Sequence, residues 1–193
     1  MSKAISRPKI SQACLDGLTE AEATYSAWTD GITMRAAPES FVQTIIAKKL
    51  HEAGSLLLLE ASVKQLLAFA SGEDIVEDAT SRAGRIDIVT YYKSKAPRFL
   101  IEIKKLGKKD SFKDDHERIR ELMDRIPTIQ NGFLVGYTVA AKVETIEKRL
   151  LQPVSGLAVR IVRRPEVLPV KSILKKDRLL GAAIYRVDAP GDA

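Results

Sequence analysis

Three side chains between residues 84 and 105 have types and spacing that could do chemistry. Asp87 interrupts the apolar run RIDIVTYY, and Glu102 and Lys104 interrupt the apolar run RFLIEIKK. Both runs alternate between apolar and polar positions, so each predicts a β-strand whose polar residues share one face. Charged groups in buried strands are costly unless a partner neutralises them. These three residues therefore need a partner or a function.

The segment KSKAP between the two runs predicts a hairpin, which would turn Asp87 toward the face that carries Glu102 and Lys104. Two converging carboxylates suit a hard cation such as Mg²⁺, which prefers oxygen ligands. The lysine beside them could orient or deprotonate an attacking water, while the cation stabilises charge that builds on a phosphate. The pattern predicts phosphate-ester hydrolysis. The alternative is a surface hairpin on which Glu102 and Lys104 form a solvated ion pair.

The elements before these strands are predicted from helical spacing and end signals. Thr19 and Glu22 form a capping-box pattern, which predicts that a helix begins at Thr19. Pro38 stands where the first residue of a second helix is expected, and Gly54 ends that helix. The next segment, SLLLLEASVKQLLAFASG, is either one buried helix or a short strand through Leu59 followed by a helix from Ser62, and we favour the second interpretation. EDIVEDAT predicts an edge strand.

The elements after these strands alternate between helix and strand. An amphipathic pattern ended by Pro127 predicts a helix, GFLVGYTV a buried strand, KVETIEKRLLQ a helix, and LAVRIVR and GAAIYRV two further strands. The expected fold is α/β, a mixed central sheet flanked by helices, whose core runs helix, three-strand meander, helix, strand. We expect one domain over residues 1–193, with 1–37 as a helical N-terminal extension and 151–193 as a basic C-terminal strand extension.

Composition excludes several classes of protein. The single cysteine, Cys14, excludes disulfides within the chain and cysteine-based zinc clusters, and two histidines are too few for most histidine-rich metal sites. The longest aliphatic block is far shorter than a membrane span, and the first residues lack the apolar segment of a secretory signal. We therefore expect a cytoplasmic protein without a membrane partner.

The net charge of +6 is concentrated in two places. One set of lysines follows the second strand, and another set of basic residues lies between positions 160 and 178. Such clusters suit a phosphate backbone. The charge alone is equally consistent with a solvated basic surface that binds nothing. Arg85 could contact a phosphate or pair with a neighbouring acid, and Arg118 could reach a substrate. The candidate nucleic-acid-binding residues are Arg85, Lys108, Lys109, Arg163, Arg164, Lys175 and Lys176.

The spacing of the three central residues resembles the PD-(D/E)XK nuclease superfamily. Asp87, fourteen intervening residues and then Glu102-Ile103-Lys104 match its signature, and the strand-strand-helix-strand order from residue 84 to about 138 is also similar. That superfamily includes restriction endonucleases, junction resolvases and phage-type exonucleases. Ile86 stands where the motif name has proline, and the resemblance does not extend to residues 1–37 or beyond about 150.

The resemblance implies roles for particular residues. Asp87, Glu102 and the carbonyl of Ile103 would bind Mg²⁺ or Mn²⁺, and Lys104 would serve the nucleophilic water. Glu39, on the helix that follows Pro38, would be the further acid that holds a metal or its water. Its separation from Asp87 is long, so Glu60 is a rival for this role.

The resemblance implies an endo- or exonuclease that hydrolyses phosphodiester bonds, with DNA as the expected substrate and a homodimer as a possible assembly. Two alternatives belong to other classes. One is a nucleic-acid-binding or assembly subunit that has a nuclease-like fold and does not cut. The other is an unrelated α/β protein-interaction module.

Overall fold

The computed structural model describes residues 6–71, 84–107, 111–170 and 178–188. The described strands are β1 (Leu56–Ser62), β2 (Arg85–Tyr91), β3 (Pro97–Lys105), β4 (Asn131–Ala140), β5 (Val159–Val170) and β6 (Arg178–Val187). The described α-helices are α1 (Arg7–Trp28), α2 (Glu39–Glu52), α3 (Val63–Ser71), α4 (Lys113–Arg125) and α5 (Val143–Leu151). They form the predicted α/β fold, a mixed sheet flanked by helices.

The described strands make one sheet in the order β1-β2-β3-β4-β6-β5. β3 and β4 pair in parallel, and the other neighbours pair antiparallel. β1, β2 and β3 therefore form an antiparallel meander, and the hairpin predicted at KSKAP is confirmed by the pairing of Tyr91 with Pro97. The strand-then-helix interpretation of this segment is confirmed by β1 and α3, although β1 continues to Ser62 and α3 begins at Val63. The strand predicted at EDIVEDAT lies outside the described residues.

Helices cover both faces of the sheet. Side chains of α1 and α2 share a buried core with Ile101, Ile103 and Val135, and we call this side the α2 face. Side chains of α3, α4 and α5 share a second core with Leu100 and Leu134, and we call that side the α4 face. Successive residues of β3 thus enter different cores, as strand alternation requires.

A glycine lets α4 lie directly on the sheet. A Cβ atom at Gly132 of β4 would lie 2.1 Å from Cγ2 of Ile119 on α4. No side chain fits at that distance, so the contact depends on glycine. Because β4 pairs with β3, this close approach sets the distance between the polar residues of α4 and those of β3.

The predicted start of the first helix at Thr19 is wrong. α1 begins at Arg7, with Pro8 in its first turn, where the missing N–H of proline does no harm. The Thr19 hydroxyl donates to the carbonyl of Leu15 at 3.0 Å, a bond that threonine often makes inside a helix. The Glu22 carboxylate accepts the N–H of Met34 at 2.9 Å instead of capping a helix.

Both predicted extensions contribute to the sheet and its cores. Ile10, Cys14 and Leu18 of α1 are buried in the core of the α2 face. β6, from the C-terminal segment, is an interior strand between β4 and β5. None of the described helices combines the length and the apolar character that crossing a membrane requires.

Candidate active site

Asp87 lies where β2 and β3 separate. Their ladder ends at the pair Ile88–Ile101, and β2 continues alongside β1 through Ile86. Oδ2 of Asp87 accepts the backbone N–H of Ile103 at 2.6 Å. The Asp87 side chain thus accepts a backbone N–H that has no partner from β2 at this position. We call the gap between β2 and β3 the fork. The fork holds the carboxylate between the ends of two rigid strands.

Glu102 meets Asp87 at this fork. Glu102 is only 4% exposed, and its carboxyl group lies near enough to that of Asp87 for their charges to interact. Burial raises the pKa of Asp87 to about 6, although the N–H of Ile103 opposes the shift. Burial and the charge of Asp87 also raise the pKa of Glu102 well above its usual range.

Charged residues of β3 and α4 form a chain of ion pairs on the α4 face. Nζ of Lys104 lies 2.5 Å from Oδ2 of Asp115 and 3.0 Å from the carbonyl of Ser111. The Arg118 guanidinium donates to Oδ1 of Asp115 at 2.7 Å and to Oε1 of Glu102 at 2.8 and 3.1 Å. We call Glu102, Lys104, Asp115 and Arg118 the α4 ion network. It gives the buried Glu102 a positive partner.

Two further acids approach the fork from other elements. Oε2 of Glu39, at the start of α2, accepts the N–H of Lys105 at 3.0 Å. Oε1 of Glu60 accepts from Nε2 of Gln43 at 2.9 Å, and the same Nε2 lies 2.6 Å from the carbonyl oxygen of Asp87. The negative charges of Glu39 and Glu60 add to the causes that raise the pKa of Asp87.

Glu60 has an unusual backbone. Its φ angle is 52°, in the left-handed region that non-glycine residues rarely adopt. It lies between the register pairs Leu59–Ile88 and Ala61–Ile86, so it interrupts the ladder beside Asp87. Strain of this kind is often found at functional sites.

Tyr137 of β4 faces the same acids. The residue is fully buried, and its hydroxyl has no hydrogen-bond partner among the described residues. Burial raises the pKa of Tyr137, and the charges of Glu39 and Asp87 raise it further. A hydroxyl buried without a partner costs free energy, and this one lies where the charges of Glu39 and Asp87 reach it.

The two lysines at the end of β3 lie on opposite faces, as alternation predicts. Lys104 joins the α4 ion network. Nζ of Lys105 instead lies 3.2 Å from the carbonyl oxygen of Arg35 and 3.4 Å from that of Ala37, near the start of α2. Lys105 therefore points away from Glu102, although its backbone N–H binds Glu39.

The donor set at the fork fits a magnesium-type cation. Protein sites for Mg²⁺ commonly use one or two carboxylates and leave the other positions to water and substrate phosphate. Asp87 and Glu102 supply two neighbouring carboxylates. Within the described ranges, no three histidine, cysteine, aspartate or glutamate side chains are arranged as a metal-binding group. The role of the Ile103 carbonyl stays a prediction.

The candidate nucleic-acid-binding residues lie in different places. Arg85 is exposed at the start of β2, opposite Ser62. Arg163 and Arg164 are on β5, which β4 and β6 separate from β3. Arg163 donates to Gln12 of α1 at 2.8 Å, and Arg164 is exposed. The structure does not bring these two arginines to the fork. Lys108, Lys109, Lys175 and Lys176 lie outside the described residues.

Three residues of the site were missed by the sequence analysis. Asp115 is 8% exposed and lies one helical turn from the apolar residue Ile119. Its position in line with the apolar stripe of the helix could have indicated that this acid is buried. Gln43 is buried within the apolar pattern of α2, a similar signal. Tyr137 is one of several buried residues in β4, and nothing in the local sequence distinguishes it.

The chain matches no protein-family model, no curated protein and no solved structure.

Proposed function

We propose that this protein is a metal-dependent nuclease that hydrolyses phosphodiester bonds in nucleic acid, with DNA as the expected substrate. One observation carries the proposal. The carboxyl groups of Asp87 and Glu102 meet in a partly buried fork, on strands that also present Lys104. Two acids held together at a cost to folding are typical of sites that bind a cation or transfer protons.

The acids of the fork are the expected ligands of the cation. Asp87 and Glu102 would hold Mg²⁺ or Mn²⁺, with the carbonyl of Ile103 as a further expected ligand. A bound divalent cation supplies positive charge that stabilises negative charge developing on a phosphate. The charge of Asp87 disfavours ionisation of Glu102, so a divalent cation bound to both carboxylates would offset their repulsion.

Residues around the fork would position the reacting groups. The Lys104 ammonium is partly exposed and is held between Asp115 and the Ser111 carbonyl, where it can orient an attacking water or exchange a proton with it. Glu39 binds the N–H of Lys105 and so fixes the end of β3. Gln43 bonds both Glu60 and the backbone of Asp87, which holds the fork against α2.

A second candidate is a nucleic-acid-binding or assembly subunit that does not cut. The α4 ion network favours it, because Glu102 and Lys104 each already have a partner of opposite charge. The two candidates differ in one respect that can be measured. A binding subunit would associate with nucleic acid without hydrolysing it.

The test is incubation with linear, circular, branched and single-stranded DNA and with RNA, each with Mg²⁺, Mn²⁺ or EDTA. The wild-type protein is compared with Asp87→Asn, which keeps the shape of the side chain. We expect hydrolysis of at least one substrate with a divalent cation, none in EDTA, and none by the variant. Binding without hydrolysis under every condition would favour the second candidate. Hydrolysis in EDTA would contradict a cation mechanism.

A further inference from the structure

Arg118 is bound to two acids at once. Its side chain is 20% exposed, and its guanidinium bridges Glu102 of β3 and Asp115 of its own helix. A Cβ atom at Gly84 would lie 3.2 Å from Nη1 of Arg118, so the guanidinium runs close to the backbone that leads into β2. The guanidinium therefore lies next to both strands of the fork.

A divalent cation and Arg118 would compete for Glu102. If the carboxylate of Glu102 held Mg²⁺ or Mn²⁺, two positive charges would be added beside the guanidinium. Like charges repel strongly where water is largely excluded, and Glu102 is 4% exposed. The bond between Arg118 and Glu102 must then weaken as the cation binds. If this competition exists, removing the charge of Arg118 should strengthen cation binding, and that change in affinity can be measured.

Asp115 gives Arg118 a second anchor. The bond from Nη2 to Oδ1 of Asp115 is 2.7 Å long, and it does not depend on Glu102. Arg118 can therefore leave Glu102 and stay at the fork. A guanidinium has five N–H donors in a planar arrangement that matches the oxygens of a phosphate. Once Glu102 no longer uses its donors, Arg118 is suited to a phosphodiester beside the cation.

We propose that Arg118 is a substrate-binding residue, which binds the non-bridging oxygens of a phosphodiester when a divalent cation occupies Glu102. Its bond to Glu102 is the arrangement without the cation. Asp115 is a positioning residue, because it holds both Arg118 and Lys104 through its two oxygens. This inference rests on the proposed function, since it needs the cation at the fork.

The first test measures cation affinity. Mn²⁺ is titrated calorimetrically into the wild-type protein, Arg118→Gln and Arg120→Gln. Arg120 is exposed on the same helix, so its variant removes the same charge away from Glu102. We expect Arg118→Gln to bind Mn²⁺ at least about threefold more tightly than the wild type, because a competing charge is gone. Arg120→Gln should bind like the wild type. Unchanged or weaker binding by Arg118→Gln would overturn the competition.

The second test measures DNA affinity with and without a cation. With Ca²⁺, Arg118→Gln should bind DNA about tenfold more weakly and reduce the salt slope of binding by about one, and Arg118→Lys should lose less. In EDTA the Arg118→Gln loss should be much smaller, because Arg118 is then bound to Glu102. Equal losses in both conditions would indicate a general charge effect and overturn the inference. So would an unchanged DNA affinity.

Failure of this inference can be distinguished from failure of the proposed function. Asp87→Asn is titrated with Mn²⁺ in parallel, and thermal melts confirm that each variant is folded. If Asp87→Asn binds Mn²⁺ as tightly as the wild type, the fork is not the cation site and the proposed function fails with the inference. If Asp87→Asn loses Mn²⁺ while Arg118→Gln binds it more weakly than the wild type, only the assignment of Arg118 fails.

Discussion

Lys104 and Lys105 are adjacent in sequence and identical in chemistry, yet they lie in different surroundings. Nζ of Lys104 binds the carboxylate of Asp115, in a network that includes the buried Glu102. Nζ of Lys105 contacts two backbone carbonyls near the start of α2. The alternation of one strand separates them. The chemistry of a lysine thus depends on which face of the sheet it occupies, since of these two lysines Lys104 is the one whose ammonium lies in a network with the buried acids Glu102 and Asp115.

The largest expected effect is the difference between these two lysines. Lys104→Ala removes the ammonium beside the fork, so it should lower the cleavage rate by about 100-fold or more, the usual scale for a positioned acid–base or electrostatic group. Lys105→Ala should retain most activity, because its ammonium is on the other face. The rates are measured on one DNA substrate at fixed salt and saturating Mg²⁺. Equal losses would show general attraction of phosphate by either lysine.

The acids of the fork should make the cation-free protein less stable as the pH rises. The pKa of Asp87 is about 6 when folded, above the ordinary value of an aspartate, so the folded state binds the proton more tightly than the unfolded state. The contribution of protonated Asp87 to the free energy of unfolding is fully present below about pH 4. It is lost as the pH rises through about 6. Glu102 acts in the same direction.

The matched variant for this prediction is Asp87→Asn, which cannot ionise. In EDTA, its free energy of unfolding relative to the wild type should rise by about 2 kcal/mol between pH 4 and pH 7. Denaturant melts at each pH measure the difference. If this difference does not change with pH, ionisation of Asp87 does not destabilise the folded protein. Added Mg²⁺ should reduce the difference at pH 7, because it stabilises the ionised wild type.

Glu39 and Glu60, the two candidates for the third acid, also lie in different surroundings. Glu39 binds the end of β3 beside Lys105, whereas Glu60 is held by Gln43 at a strained position in β1. We expect Glu39→Gln to lower cleavage by at least about tenfold, and more than Glu60→Gln does, because Glu39 influences both Asp87 and Tyr137. The same cleavage assay compares them. A larger loss in Glu60→Gln would make Glu60 the third acid.

The smallest expected effect concerns the basic residues of β5. Changing Arg163 and Arg164 to glutamate should reduce the salt slope of DNA binding by about two and leave the cleavage rate at saturating DNA unchanged, since β5 is separated from β3 by two strands. Lys93→Glu, in the exposed turn between β2 and β3, is the control. An unchanged slope would show that nucleic acid does not contact β5.

The elements that position the fork were predictable because their signals are local. Alternation in β2 and β3, and the short turn between them, determine which residues share a face. The same rule accounts for the opposite directions of Lys104 and Lys105. The start of α1 was predicted wrongly because a threonine inside a helix can bond the preceding turn and imitate a cap.

The partners of the site residues were not predictable from local patterns. Asp115 and Arg118 reach Glu102 and Lys104 only because α4 lies directly on the sheet, a contact that depends on Gly132 of another strand. Such a contact joins parts of the chain that are distant in sequence. Strand alternation therefore indicates which residues face a site, but packing decides which partners they find there.

The most direct test of the proposed nuclease is the effect of one isosteric change at the fork. Glu102→Gln removes the charge of an expected cation ligand with almost no change in shape. Its cleavage rate is measured against the wild type on one DNA substrate at fixed salt and saturating Mg²⁺, after melts confirm that the variant is folded. The cleavage rate of Glu102→Gln should be at least about 100-fold lower than that of the wild type. Full activity in Glu102→Gln would contradict the nuclease mechanism.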